Sequence, residues 1–306
     1  MIKRLYSYAL GSLLAGLSFF FSSITTAYES SEPPGESEFF VDIPIITSAT
    51  RLPQKIDKSP VAISYISRKM IADSGATEVA QILGLAPGFL SYSVVGNQFG
   101  VTHRGLSYRF PGDLEITVDG RSVYSPIFST VDWTTLGITP EDIHYIEVVR
   151  GTNAAAYGSN AFLGAIHIVT NLPAREKGLS LNIAAGDSET RNGQLDWSGQ
   201  AGIFDFSMGV VYRHNEGFPE FASQPLIDRN IDGNEATNFR FEAIASPTIQ
   251  DTLRFHAGFG HSRTQIPKKG LEGGGKGFIV REVDSQYQLL RWKRTLSDNN
   301  ELQVQF

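Results

Sequence analysis

Two stretches of the chain combine residue types that can do chemistry. Asp228-x-Asn230-x-Asp232-Gly233 has the alternating oxygen ligands and the glycine turn that open an EF-hand calcium loop. Such a loop needs a bidentate glutamate at its twelfth position, which here is Phe239. Glu235 or Glu242 would have to supply the missing ligand in a loop of another shape, and a polar turn without metal is the plainer reading. Gly270-Leu271-Glu272-Gly273-Gly274-Gly275-Lys276-Gly277 comes close to a phosphate-binding loop. It lacks the final Ser or Thr, no apolar strand leads into it and no helix follows, so it reads as a flexible surface loop. The six histidines (103, 144, 167, 214, 256 and 261) show no metal-ligand spacing, and His256 and His261 fall on opposite faces of a regular strand. There is no Gly-x-Ser-x-Gly elbow. With no cysteine, disulfides, thiolate metal sites and a cysteine nucleophile are excluded. Nothing here points to an enzyme, and no cofactor is expected apart from calcium as a weak candidate at Asp228, Asn230 and Asp232.

The elements around these stretches are more informative. Lys3 and Arg4 precede a mostly apolar run, Leu5 to Phe21, and Thr25-Thr26-Ala27 supplies small residues. That is the order of a cleaved secretory signal, assigned to residues 1–27. Residues 28–50 form a linker, acidic and rich in Pro and Ser at first, then apolar. Over 51–172 the composition is that of an α+β domain. Ser59 to Ile66 reads as a strand, and Thr77 as the cap of a helix presenting Val79, Ile82 and Leu83. Leu114, Ile116 and Val118 alternate into the hairpin signal Asp119-Gly120. Thr139-Pro140-Glu141-Asp142 has the cap, proline and acids of a short helix start, before a buried strand from Ile143 to Val149.

From 173 to 306 the period changes to two. Leu179, Leu181 and Ile183, then Phe204 to Tyr212, Phe239 to Ala245, Leu253 to Phe259 and Leu302 to Phe306 place apolar or aromatic residues on one face and polar or small ones on the other. Segments of about ten such residues are the signature of transmembrane β-barrel strands, although a soluble antiparallel sheet alternates too. Short turns at Gly186-Asp187 and Pro247 to Asp251, set against long connections at Glu216 to Ala236 and Thr264 to Arg281, favour the barrel. The net charge of −6 argues against nucleic acid as a partner.

Ile146-Glu147-Val148-Val149-Arg150-Gly151, continuing through Tyr157-Gly158-Ser159-Asn160-Ala161 to Gly164, Ile166, Ile168 and Thr170, resembles the end of the plug domain of TonB-dependent outer-membrane receptors. Arg104-Gly105 and Val118-Asp119-Gly120-Arg121 support the resemblance. Thr152, Phe162-Leu163 and Asn171 depart from the family pattern.

The resemblance implies an α+β plug followed by antiparallel transmembrane β-barrel strands, incomplete in this chain. About seven strands are counted against the roughly 22 of plugged transporters, so a fragment or truncated product is expected. It implies a signal-exported receptor of the Gram-negative outer membrane, in contact with its lipid, importing a scarce bulky ligand. Ferric siderophores are the commonest class, with cobalamin and glycans behind. The energy would come through TonB and its ExbB/ExbD complex. Asp42-Ile43-Pro44-Ile45-Ile46-Thr47 resembles a TonB box. Arg104, Arg150, Gly151, Tyr157, Gly158 and Gly164 are the implied plug–barrel contacts, the two arginines pairing with barrel carboxylates. Phe110, Tyr124 and Phe128 are candidates to face ligand from plug loops. The cobalamin branch orders outer loops with calcium, which keeps the Asp228 candidate open. A non-transporting plug-like binding or signalling module is the alternative reading.

Overall fold

The computed structural model describes residues 44–46, 48, 54–95, 98–105, 113–125, 130–152, 154–173, 177–217, 232–267, 278–297 and 300–306. The proposed signal segment, most of the linker, and Asp42, Ile43, Thr47, Phe110, Phe128, Asp228 and Asn230 lie outside these residues.

β-Branched residues at alternate positions build the first layer. Strands β1 (Ile45–Ile46) and β2 (Gln54–Lys55) form a two-residue antiparallel pair, followed by β3 (Ala62–Ser67) and helix α1 (Arg68–Ser74). Ser67 caps α1 through its hydroxyl, and Gly75 ends it at φ 65°. Helix α2 (Val79–Ile82) starts one residue later than the sequence suggests. Its N-cap is Glu78, because Gln81 reaches back to accept from the Thr77 and Glu78 amides. Next come β4 (Phe89–Val95), β5 (Gln98–His103), β6 (Leu114–Val118), β7 (Arg121–Ser122), β8 (Tyr124–Ser125), β9 (Thr130–Val131), β10 (Ile143–Arg150), helix α3 (Ala154–Tyr157) and β11 (Gly164–Thr170).

The main sheet of this domain has the order β3-β10-β11-β6-β7. β11 and β6 run parallel and the other neighbours antiparallel. One face carries Ile66, Ile146, Val148, Ile166 and Ile168, packed with Ile71, Val79, Ile82 and Leu83 from the helical side. Burying each such side chain stabilises the fold by about 1.5–3 kcal/mol. Val149, Ala161 and Ala165 form a smaller cluster on the other side.

The second layer is a seven-stranded antiparallel meander: β12 (Gly178–Gly186), β13 (Thr190–Ala201), β14 (Phe204–Asn215), β15 (Asn234–Ala245), β16 (Asp251–Pro267), β17 (Phe278–Ser297) and β18 (Asn300–Gln305). Its apolar face is exposed at Leu179, Leu195, Trp197, Phe204, Val210, Phe239 and Phe259, while Gln194, Asn238 and Glu242 on the opposite face are buried. Among the described residues the sheet is open, with β12 and β18 at its two edges. Two expected boundaries move. β16 and β17 stay paired out to Pro267 and Phe278, so only residues 268–277 connect them, because Ile266 opposes Ile279 and extends the ladder. The turn after Gly186 lies at the same end of the sheet as the connections at 216–233 and 268–277. Gly202-Ile203 makes a tight turn at the other end, which shifts the alternation of hairpins by one.

The Gly-rich passage after Arg150 owes its composition to backbone geometry within the plug. Gly151 and Gly158 adopt φ +99° and +90°, where a side chain is strained. Gly164 lies against β10, where an added Cβ would sit 2.5 Å from the Val149 carbonyl oxygen. Gly164→Ala is therefore expected to destabilise the plug by about 1–3 kcal/mol, as overpacking does, read as a lowered midpoint in chemical unfolding.

Candidate functional site: the interface between plug and sheet

The polar face of the meander is lined with arginines, and the plug meets them with carboxylates placed at the ends of its elements. Asp142 closes a turn capped by Thr139, accepting from the Thr139 amide at 2.7 Å. Arg240 on β15 donates to Asp142 Oδ2 at 2.7 Å and Oδ1 at 2.6 Å, reaches the Gly137 carbonyl at 3.3 Å, and also contacts Asp196 on β13. Gln194 joins the cluster by donating to Asp142 at 2.9 Å and accepting from the Thr139 hydroxyl at 2.8 Å.

Asp119 sits at φ 50° in the tight turn between β6 and β7, which aims its side chain back at β11. There it accepts from the Thr170 amide and hydroxyl at 3.1 and 2.8 Å. The same carboxylate is 3.4 Å from Arg254 on β16, which also donates to Glu242 at 2.7 Å. Arg291 on β17 donates to the Asp119 carbonyl at 2.6 Å. A Cβ on Gly120 would meet this guanidinium at 2.5 Å, so the wall closes tightly on Gly120. Arg121 stacks over the Tyr287 ring at 3.7 Å, and burial lowers its pKa.

Two further pairs hold the plug toward the end with the long connections. Arg213 on β14 contacts Glu78 at 2.5 Å, and Arg281 on β17 contacts Asp132 at 3.3 Å. Asp132 is itself fixed as a cap, accepting from the Thr134 amide at 3.1 Å. Asn238 donates to the Thr134 carbonyl at 3.1 Å. A cavity of about 380 Å³ lies between Asp119, Asp142 and Thr170 of the plug and Arg240, Glu242 and His256 of the wall.

The residues singled out from the sequence are placed as follows. Arg104, at φ 60°, is exposed after β5, and Arg150 is half-buried at the end of β10. Neither forms an ion pair with β12–β18 among the described residues, where wall arginines meet plug carboxylates instead. Gly151 bonds to Leu163 within the plug, and Tyr157 bonds to the Ser48 carbonyl. Tyr124 is half-buried in the β8–β9 ladder. Asp232 is buried, Glu242 is committed to Arg254, and no cluster of three metal-ligating residues occurs among the described residues. The missed carboxylates shared one signal: Asp119, Asp132, Asp142 and Glu78 all stand at turns or caps.

Burial holds the Glu78 carboxyl above the ordinary glutamate range, while the Arg213 charge pulls it down. An acid with a raised native pKa contributes stability that is fully present below its unfolded value and is lost as pH rises through the native value. The stability difference between parent and Glu78→Gln is therefore expected to fall from pH 4.5 up to the raised value and to level off above it, measured by chemical unfolding across pH.

Residues 55–165 match the family model described as the TonB-dependent receptor plug domain. The ferrioxamine B receptor of Salmonella typhimurium is 28% identical over 162 residues, 52% of this chain and 22% of that protein. The vitamin B12 transporter BtuB of Vibrio vulnificus is 29% identical over 244 residues, 76% of this chain and 36% of that protein. The chain thus spans less than half the length of these curated relatives. Solved structures share the fold. FpvA of Pseudomonas aeruginosa, bound to a pyoverdine and iron, has a TM-score of 0.64 at 15% identity, covering 85% of this chain and 35% of its own. The alcaligin outer-membrane receptor FauA of Bordetella pertussis has a TM-score of 0.62 at 20% identity, covering 85% and 40%. Residues 55–165 therefore carry a domain matching the TonB-dependent receptor plug, and that domain with the antiparallel sheet after it has the fold of these solved receptors.

Proposed function

We propose that the chain is the plug-bearing part of a receptor of the Gram-negative outer membrane that takes up a scarce, bulky ligand with energy supplied through TonB and ExbB/ExbD. The observation that carries this reading is a plug-family domain held by ion pairs against a sheet whose opposite face is apolar and exposed. An apolar outer face suits lipid, and a polar lumen suits a plug that must be displaced without exposing a hydrophobic core. Ferric siderophores are the proposed ligand class, supported by the ferrioxamine relative and by the pyoverdine and alcaligin receptors of the same fold. Ligand would enter from the end bearing the long connections. The segment from Asp42 to Thr47 would be the TonB box, offering an extended main chain to a partner's sheet edge.

The test is ligand binding to the full receptor in outer-membrane vesicles, with ferric ferrioxamine B, ferric alcaligin and cyanocobalamin as probes. Saturable binding of a ferric probe, with the TonB periplasmic domain retained more strongly when ligand is present, is the expected result. Binding of cyanocobalamin alone would overturn the siderophore class. No binding of any probe, together with no retention of TonB, would overturn the receptor reading.

A further inference from the structure

Gly209, Gly258 and Gly260 interrupt the polar face of the wall in the middle of its strands. A glycine there weakens the strand and marks a place that another group approaches closely. Each stands directly opposite a side chain that reaches the plug. Gly209 pairs with Arg240, which holds Asp142. Gly258 pairs with Tyr287, on whose ring Arg121 stacks at 3.7 Å. Gly260 pairs with Asn238, which donates to the Thr134 carbonyl. Along one row of the sheet the order is Asp196, Gly209, Arg240, Gly258, Tyr287, so long side chains alternate with none. The long side chains lie across the glycines. A Cβ on Gly209 would sit 2.6 Å from Arg240 Cζ, one on Gly258 2.6 Å from Tyr287 Cζ, and one on Gly260 2.5 Å from Asn238 Oδ1. The last would also come within 3.3 Å of Thr135 Cβ on the plug.

We propose that these glycines are seats that set how closely the plug can approach its wall. Arg240, Tyr287 and Asn238 lie flat only because the opposite position has no side chain. A methyl group on any seat must lift its neighbour toward the plug, where Arg240 has only 2.6 Å to Asp142 Oδ1. Gly209 and Gly258 are positioning residues that act on the plug through Arg240 and Tyr287. Gly260 also admits the turn that bears Thr135. The plug carboxylates choose where the plug sits, and the seats choose at what distance. They act on the interface itself, whatever ligand the receptor takes up.

The sheet supplies its own controls on the opposite, apolar face. Gly199 lies under the Phe206 ring, where an added Cβ would come within 3.0 Å, and Gly193 has open space. Amide hydrogen exchange would be followed in the 306-residue chain in detergent micelles, over β6–β7 of the plug and over β15 as the wall reference. Gly258→Ala should speed exchange in β6–β7 about tenfold, the scale of one desolvated cation–π contact, and leave β15 unchanged. Arg121→Ala should do the same, and the double variant should exchange no faster than either single one. Gly199→Ala and Gly193→Ala should leave β6–β7 at the parent rate. Parent-like exchange in Gly258→Ala, an equal effect of Gly199→Ala, or full additivity in the double variant overturns the seat. Should Gly258→Ala not fold, Tyr287→Ala relieves the overlap. Gly258→Ala with Tyr287→Ala should then match Tyr287→Ala alone, itself faster than the parent in β6–β7. A mismatch between those two, or a parent-like Tyr287→Ala, overturns the seat equally.

Discussion

A guanidinium cannot shed its charge, and among the described residues the polar face of the meander turns Arg213, Arg240, Arg254, Arg281 and Arg291 toward the plug. Everything packed against that face must bring an acceptor. The plug does so with Glu78, Asp119, Asp132 and Asp142, and with the carbonyls of Asp119 and Gly137. Each carboxylate is itself tied to plug backbone or lies at the start of a helix, so the turn that places it also orients it. Buried pairs of this kind repay little net stability, because desolvation offsets attraction. Removing one partner is costly, and the pairs therefore fix where the plug sits more than how firmly it folds.

That division matters for how such a plug can move. Its own stability comes from the apolar cluster around Ile66, Ile146 and Ile166, all of it internal. The contacts to the wall are dominated by ion pairs and hydrogen bonds, and water can take over their acceptors and donors as the surfaces part. Displacing the plug then exposes charges and not a hydrophobic core. β10 lies between the two regimes: Asp142 at its start is held by the wall, and Glu147 at its centre accepts from the Ser48 amide.

Much of the fold was legible from local patterns. Alternation located β12, β14, β15, β16 and β18, and Asp119-Gly120 announced the β6–β7 turn. The turn at Gly202-Ile203 was not visible, because β13 mixes Gly, Ser, Gln and Asn with only Leu195 and Trp197 on its outer face. The interface was less legible still. Glu78 and Arg213 stand 135 positions apart, and Arg240 and Asp142 98. No local period encodes such pairs. Arg104 and Arg150 stand in conspicuous Arg-Gly pairs, while the carboxylates at caps read locally as ordinary turn chemistry. They are turn residues and anchors at once.

The most direct test of plug–wall ion pairing is a double-mutant cycle on Glu78 and Arg213. Unfolding of the plug would be followed by Trp133 fluorescence in the 306-residue chain, with Trp197 and Trp292 replaced by Phe, comparing Glu78→Gln, Arg213→Gln and the double variant. The account predicts a coupling energy of about 1–3 kcal/mol between the two sites. Strict additivity of the two single effects would contradict it, showing that the plug does not depend on meeting the charges of its wall.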